Sequence, residues 1–372
     1  MEVIKAAEQR RASHGDALWL CAGQPSTPAP RAVRDAAAEA LQSQVLGYTP
    51  AVGIRELREA IAEHHRRGGL AVEADGVMVT TGSSGGFTAL FLAAFNPGDT
   101  VVMARPGYPA YRNTLQTLGC EVLELDCGPE VRHQPTVAML EALPTIPAGV
   151  VVASPSNPTG TIIDADELAA IATWCAERDV LLVSDEIYHG ISFGRECTSA
   201  WQTSHEAVVI GSFSKYFSMT GWRLGWMLLP RALRRPVELI SGNLSICPPA
   251  LGQVAAVAAF GDDARRELDA HVARYAVNRQ LLLDRLPELG ITRIAPGDGA
   301  FYLWCDVSEL TDDSARWCEQ ALAATGVAMT PGIDFDAVHG HRHVRLCFAG
   351  TTAEMDEAVD RLLAWDPSTR PG

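Results

Sequence analysis

Ser212-Phe213-Ser214-Lys215-Tyr216-Phe217-Ser218-Met219-Thr220-Gly221-Trp222-Arg223 sets one lysine among aromatics and hydroxyls, with no other charge before Arg223, eight residues on. The residues just upstream, 208–211, read Val-Val-Ile-Gly, a short β-branched run that predicts a strand. The lysine therefore follows a strand end. Flanked by Phe213, Tyr216 and Phe217, its amine would be partly desolvated, which favours the neutral nucleophile that forms a Schiff base. The plainer reading is an aliphatic stem that carries the charge past the aromatics to solvent. The stretch alone leaves both open, and the chain around it has to decide.

Working outward, short β-branched runs alternate with helical patterns from about residue 75 to 230. Strands are expected at 77–81, 100–104, 121–125, 149–153, 180–184, 208–211 and 224–229. Helices fit 84–95, 109–118 and 164–178, the last with Asp164 as cap and Glu167 three residues on. Such alternation predicts an α/β fold: a three-layer large domain, with a mostly parallel sheet between helices on both faces. A long helical pattern at 263–287 precedes short strands at 300–305, 326–329 and 344–348, alternating with helices at 314–324 and 352–364. This is a smaller α+β domain. The expected division is 35–275 for the large domain, with 1–34 and 276–372 forming the small one. The tail 366–372 reads as unstructured polar chain.

Ligands of open α/β sheets sit beyond the carboxyl ends of strands, so the residues that follow each strand carry the chemistry. After 77–81 comes Gly82-Ser83-Ser84-Gly85-Gly86 and a helix. Close backbone approach, free N–H groups and two hydroxyls suit a phosphate. A glycine-rich turn with a serine cap, or a Gly82-x-Ser84-x-Gly86 nucleophile elbow, fits the same residues. After 149–153, Ser154-Pro155-Ser156-Asn157-Pro158-Thr159-Gly160 fixes the direction of the Asn157 amide, or is simply a rigid turn. After 180–184, Asp185-Glu186-Ile187-Tyr188 places a carboxylate at a buried strand end, costly unless a cation meets it or it caps a helix. One ligand accounts for all of these. Pyridoxal 5′-phosphate has an aldehyde for Lys215, a ring nitrogen that Asp185 keeps protonated, and a phenolic oxygen for Asn157 and Tyr188. Its phosphate would meet Ser83, Ser84, Ser212 and Arg223.

The balance of 30 basic against 45 acidic residues gives −15, which repels a nucleic-acid backbone. The nine cysteines are odd in number, scattered and never spaced C-x-x-C, a pattern of reduced thiols that predicts a cytoplasmic setting. No apolar leader or run of membrane-spanning length is seen, so no membrane partner is expected. His339, His341 and His343 alternate in a loop without a carboxylate or cysteine partner, and no metal is expected.

The chain resembles the class I/II aminotransferases of fold type I, the aspartate aminotransferase superfamily of pyridoxal phosphate enzymes. The resemblance runs from Gly23-Gln24-Pro25 through Tyr48-Thr49-Pro50-Ala51-Val52-Gly53, the Ser154–Gly160 and Asp185–Tyr188 stretches and the lysine stretch to Val344-Arg345-Leu346-Cys347-Phe348-Ala349. Asn157 stands 28 residues before Asp185, and Lys215 another 30 on. The resemblance implies a fold type I large domain and a transaminase that moves an amino group between an α-amino acid and a 2-oxo acid in two half-reactions. It implies that Lys215 binds the coenzyme and moves the α-carbon proton, with Asp185 and Tyr188 in catalytic roles. It further implies that Tyr108 stacks on the ring, that Arg345 grips the substrate carboxylate with Gly23 and Asn157 nearby, and that Tyr48 reaches the partner's coenzyme phosphate in a homodimer.

Departures and rivals remain. The loop Thr81-Gly82-Ser83-Ser84-Gly85-Gly86-Phe87 lacks the Gln or Glu usual after the cup, and Asp334 and Asp336 stand where many relatives carry small or apolar residues. The same fold supports carbon–sulfur β-elimination, decarboxylation and racemisation. A serine hydrolase would use Ser84 with Asp334 and His339, leaving Lys215, Asn157 and Arg223 unexplained. An effector-sensing regulator would carry a DNA-binding domain ahead of the resemblance, which begins by Gly23. A dicarboxylate substrate wants a second cation, for which Arg112 is a candidate by position; Tyr48, Trp19 or Tyr302 would serve an aromatic-lined pocket.

Overall fold

The computed structural model describes residues 2–365, so the tail 366–372 lies outside the described residues. The large sheet comprises β1 (Val77–Thr81), β2 (Thr100–Arg105), β3 (Glu121–Asp126), β4 (Gly149–Ala153), β5 (Leu181–Asp185), β6 (Val208–Ser212) and β7 (Leu224–Leu228). Their order is β1-β7-β6-β5-β4-β2-β3. Strand β7 runs antiparallel to both neighbours and the other pairs are parallel.

Parallel strands need long crossovers, and these place helices on both faces. Side chains alternate accordingly. Val79, Val102, Val150, Leu182 and Val209 pack with Leu57, Ile61 and Ile171 on one face. Met78, Val101, Val151, Val183 and Ile210 pack with Phe87, Leu90 and Leu115 on the other. The β-branched runs are thus buried twice, as sheet centres require.

Strands β5 and β6 extend one residue beyond their expected ends. A hydropathy reading stops at the first polar residue, but the ladder is made of backbone groups and continues. Asp185 closes β5 opposite Ala153, and Ser212 closes β6 opposite Gly225. The Asp164 side chain does not cap the helix Ala165–Ala176. It pairs with Arg195 at 2.8 Å, while Glu167 Oε1 accepts from Val137 N at 2.5 Å. Tertiary partners took both members of the expected capping box.

The C-terminal part has its own core, in which Leu20, Tyr275, Leu282, Phe301 and Leu346 meet. Its sheet holds β8 (Tyr302–Asp306), β9 (Thr330–Pro331) and β10 (His343–Cys347), in the order β9-β10-β8 and antiparallel throughout. The N-terminal arm joins it, Leu18–Trp19 pairing in parallel with Val327–Ala328. The helix Asp262–Arg285 connects the two cores, with Leu268 in the first and Tyr275 in the second. The division expected at 275 therefore falls within one continuous helix.

Candidate active site

A cavity of about 790 Å³ opens where β4 and β5 end and the start of the helix Gly82–Ala94 faces β10. Lys215, Asp185, Asn157, Tyr188, Arg345, Gly23, Ser83, Ser84, Tyr108 and Arg223 all line it. Gly23 and Arg345, 322 positions apart in the chain, share this one cavity.

Lys215 Nζ donates to Gly23 O at 2.6 Å, and the rings of Tyr188 and Phe301 lie 5.6 and 5.9 Å from it. Burial pushes the ammonium down to about 8. The amine is therefore far easier to free of its proton than a surface lysine, as a nucleophile or base requires.

Asp185 is buried at the foot of the same cavity. Tyr111 donates its hydroxyl proton to Oδ2, and Ile187 N donates to Oδ1 at 3.0 Å. Burial raises its carboxyl to about 6, opposed by the Tyr111 hydroxyl, the Ile187 N–H and the Lys215 charge. A cation placed against it would restore the ionised form.

Arg345 is 7% exposed, yet no acidic side chain among the described residues pairs with it. Nη1 donates to Asn157 Oδ1 at 2.8 Å and Nη2 to Cys21 O at 2.8 Å, and Nε has no partner. The guanidinium lies between the Tyr302 and Phe335 rings, 4.4 and 4.7 Å from their centres. A buried cation without a counter-charge is costly to keep, and a carboxylate is the group its planar fork fits.

The third cationic element lies at the other end. Arg223 has a left-handed backbone, φ 55°, and its guanidinium rests on Gly82, where a Cβ would come within 2.6 Å of Nη2. Gly82, itself at φ 68°, leaves room for the arginine at the start of the helix that carries Ser83 and Ser84. Free N–H groups, two hydroxyls and a guanidinium meet in one place, the donor set of a phosphate site. Anion subsites at both ends, with an amine and a carboxyl between them, fit pyridoxal phosphate and an amino-acid carboxylate together.

One expected residue, Ser212, lies away from this cavity, and Tyr48 is expected at a partner's coenzyme rather than its own. The Ser212 hydroxyl accepts from Ser214 N at 3.0 Å behind the wall, and the cavity is lined by Ser214 instead. Tyr48 is 84% exposed and lines no part of the cavity in its own chain. Sequence reasoning missed Tyr111; its position three residues after Tyr108, on the same helix, was the available signal. Tyr302 donates to or accepts from Tyr188 across 2.8 Å and so belongs to the floor, while Trp19 does not line the cavity.

The rival arrangements do not assemble. Among the described residues no histidine lines the cavity with Ser84, and His339 Nε2 faces Asp126 at 3.7 Å. Arg112 is tied to Glu124 at 2.8 Å and does not line the cavity, so it offers no second cation to a dicarboxylate. Asp336 is buried and accepts from Val338 N and His339 N, while Asp334 lines the cavity from an exposed position. His343 stacks on Trp304 at 4.9 Å, and no metal-holding group occurs among the described residues.

The family model for aminotransferase class I and II matches residues 15–362. The valine–pyruvate aminotransferase of Mycobacterium tuberculosis is 56% identical, over 99% of this chain and 96% of that protein. The aspartate/prephenate aminotransferase of Thermus thermophilus is 34% identical, over 96% of this chain and 92% of that one. A crystal structure of an aminotransferase from Mycobacterium tuberculosis superposes with a TM-score of 0.97 at 55% identity, covering 99% and 96% of the two chains.

Proposed function

The chain belongs to the class I and II aminotransferase family, and from that we propose that it is a pyridoxal phosphate enzyme exchanging amino groups between small apolar amino acids and 2-oxo acids. The observation that carries this is Arg345, a buried guanidinium with no acidic partner, in one cavity with an amine held near pKa 8.

Pyridoxal phosphate supplies an aldehyde to carry the amino group and a protonated ring that accepts electrons. Ser83, Ser84 and Arg223 would hold its phosphate, with Ser212 or Ser214 from the lysine stretch. Asp185 would keep the ring nitrogen charged, and the cationic ring in turn would hold Asp185 ionised. Asn157 and Tyr188 would donate to the phenolic oxygen, and Tyr108 would cover the ring face. Lys215, freed of its proton, would serve as the base that takes the proton from the substrate α-carbon. Arg345 orients the α-carboxylate so that the bond to that hydrogen faces Lys215.

Selectivity follows from which charges line the cavity. Lys215, Arg223 and Arg345 are each used by this scheme, and no further cation among the described residues lines the wall. A second substrate carboxylate would be buried unpaired, and would sit with the Asp334 carboxylate. Valine, the substrate in the name of the 56% identical relative, has the apolar side chain that such a wall accepts. With coenzyme supplied, valine and pyruvate should turn over well above aspartate and 2-oxoglutarate. A preference for aspartate overturns the reading.

The protein is proposed to act as a cytoplasmic homodimer. Leu41, Val45 and Tyr48 are 63%, 99% and 84% exposed on one stretch of chain, apolar surface that a second copy would cover. Sedimentation at micromolar concentration should give twice the mass of one chain.

A further inference from the structure

A second cavity, of about 400 Å³, lies on the reverse of the strand end that carries Asp185. Successive side chains of an extended strand point to opposite faces, so Asp185 meets the first cavity and Glu186 the second. Glu186 is 4% exposed. Its Oε1 accepts from Ser184 Oγ at 2.9 Å, Ser199 Oγ at 3.0 Å and Ala200 N at 2.9 Å. Its Oε2 has no hydrogen-bond partner. His189 Nδ1 stands off at 3.4 Å, and the other ring nitrogen of His189 is engaged with Ser154 O at 3.1 Å. One oxygen of a buried carboxylate is saturated and the other lacks a donor. That is a costly arrangement unless something in the cavity supplies one.

The walls narrow what that donor is. Phe217 is the centre of an aromatic cluster, 5.2 Å from Phe260 and 5.1 Å from Tyr216, and Trp226 lines the same cavity. Burial holds His64 and His65 down to about 4 and about 3, so both are neutral at pH 7 and do not repel a cation. Trp226 Nε1 donates to His65 Nε2 at 3.0 Å, so neither is left wanting on that side. At the mouth, Arg67 is met by Glu63 at 3.3 Å, and Arg265 is exposed where solvent screens it. Glu186 is the one acid among the described residues that line this cavity, and a carboxylate oxygen beside aromatic rings is the chemistry that recognises ammonium ions.

We infer that this second cavity binds a small organic ammonium ion, its N–H directed at Glu186 Oε2 and its apolar body held among Phe217, Phe260 and Trp226. Ile187 lines both cavities, so an occupant sits one side chain away from the catalytic wall. The inference is independent of which amino acid the enzyme transaminates.

The test uses coenzyme-loaded protein and N,N-dimethylbenzylamine, a tertiary amine that cannot condense with an aldehyde. Calorimetry should show saturable binding with a dissociation constant of about 1 mM or tighter, undiminished by saturating substrate. Isobutylbenzene, the neutral analogue of similar shape, should bind at least about tenfold more weakly, and Glu186→Gln should lose about the same factor for the amine. In the unsubstituted protein, the imidazole C–H signals of His64, His65 and His189 should move during the titration. These signals and the neutral analogue decide the matter even where Glu186→Gln does not fold. No saturable heat, which would leave water as the only occupant, overturns the inference. So does equal affinity for the hydrocarbon, undiminished binding by a folded Glu186→Gln protein, or displacement by substrate.

Discussion

Arg285 and Arg345 both belong to the C-terminal part of the molecule, and the fold treats them in opposite ways. Arg285, at the end of its helix, meets Asp356 at 2.6 Å, Asp360 at 2.8 Å and Glu288 at 3.7 Å, all near solvent. Arg345, far more deeply buried, meets no acid among the described residues and is held by three oxygen acceptors and two aromatic rings. Counter-charges are plentiful where water already solvates a cation and missing where it does not. The difference marks which arginine sits in solvated surface pairs that contribute little and which awaits a ligand, since an uncompensated buried charge is costly to keep.

The largest test of that contrast is at the amine that shares the cavity with Arg345. Lys215→Ala should remove the visible absorbance of the reconstituted protein and lower turnover by at least about 10⁴-fold. Next, Arg345→Met should lower kcat/KM for valine by about 10²–10³-fold, through KM more than through coenzyme affinity. An Arg345→Met enzyme with unchanged KM would break the comparison outright.

Asp185 sharpens it, since stability and function should move in opposite directions. Its folded pKa, about 6, lies above the ordinary 3.8, so the favourable share is present below the ordinary value and is lost as pH rises through 6. Without coenzyme, Asp185→Asn should therefore be more stable than the parent at pH 7.5 by on the order of 2 kcal/mol, with the gap closing near pH 4. Urea unfolding at the two pH values reads this directly, and the same variant should be nearly inactive. Tyr111→Phe removes one donor from that carboxylate and should weaken coenzyme retention about tenfold, measured by dialysis. Smallest of all, Arg285→Ala should leave activity unchanged and the urea midpoint barely moved. A large loss there would show that the surface pairs matter more than the contrast allows.

Several features of the site are legible in the sequence alone. Lys215 among aromatics, Asp185 at a strand end and the glycine–serine turn at residue 82 announce themselves, because each is chemically odd for its local setting. Tyr111 does not, since a tyrosine on an amphipathic helix reads as ordinary core. Ser214 lines the cavity and Ser212 does not, because the chain bends as soon as β6 ends and strand alternation no longer says which hydroxyl faces the ligand. Asp164 looked like a helix cap and became half of an ion pair with Arg195, a partner 31 residues away that no local rule could supply.

The order of strands and helices, the lysine and its aspartate were determined by sequence, because periodicity and desolvation act over a few neighbouring residues. Which arginines stand without an acid, which face of the sheet Glu186 serves, and whether Arg112 reaches the substrate were decided only by tertiary structure. Pairing and burial depend on chain segments hundreds of residues apart, and no short stretch contains that information.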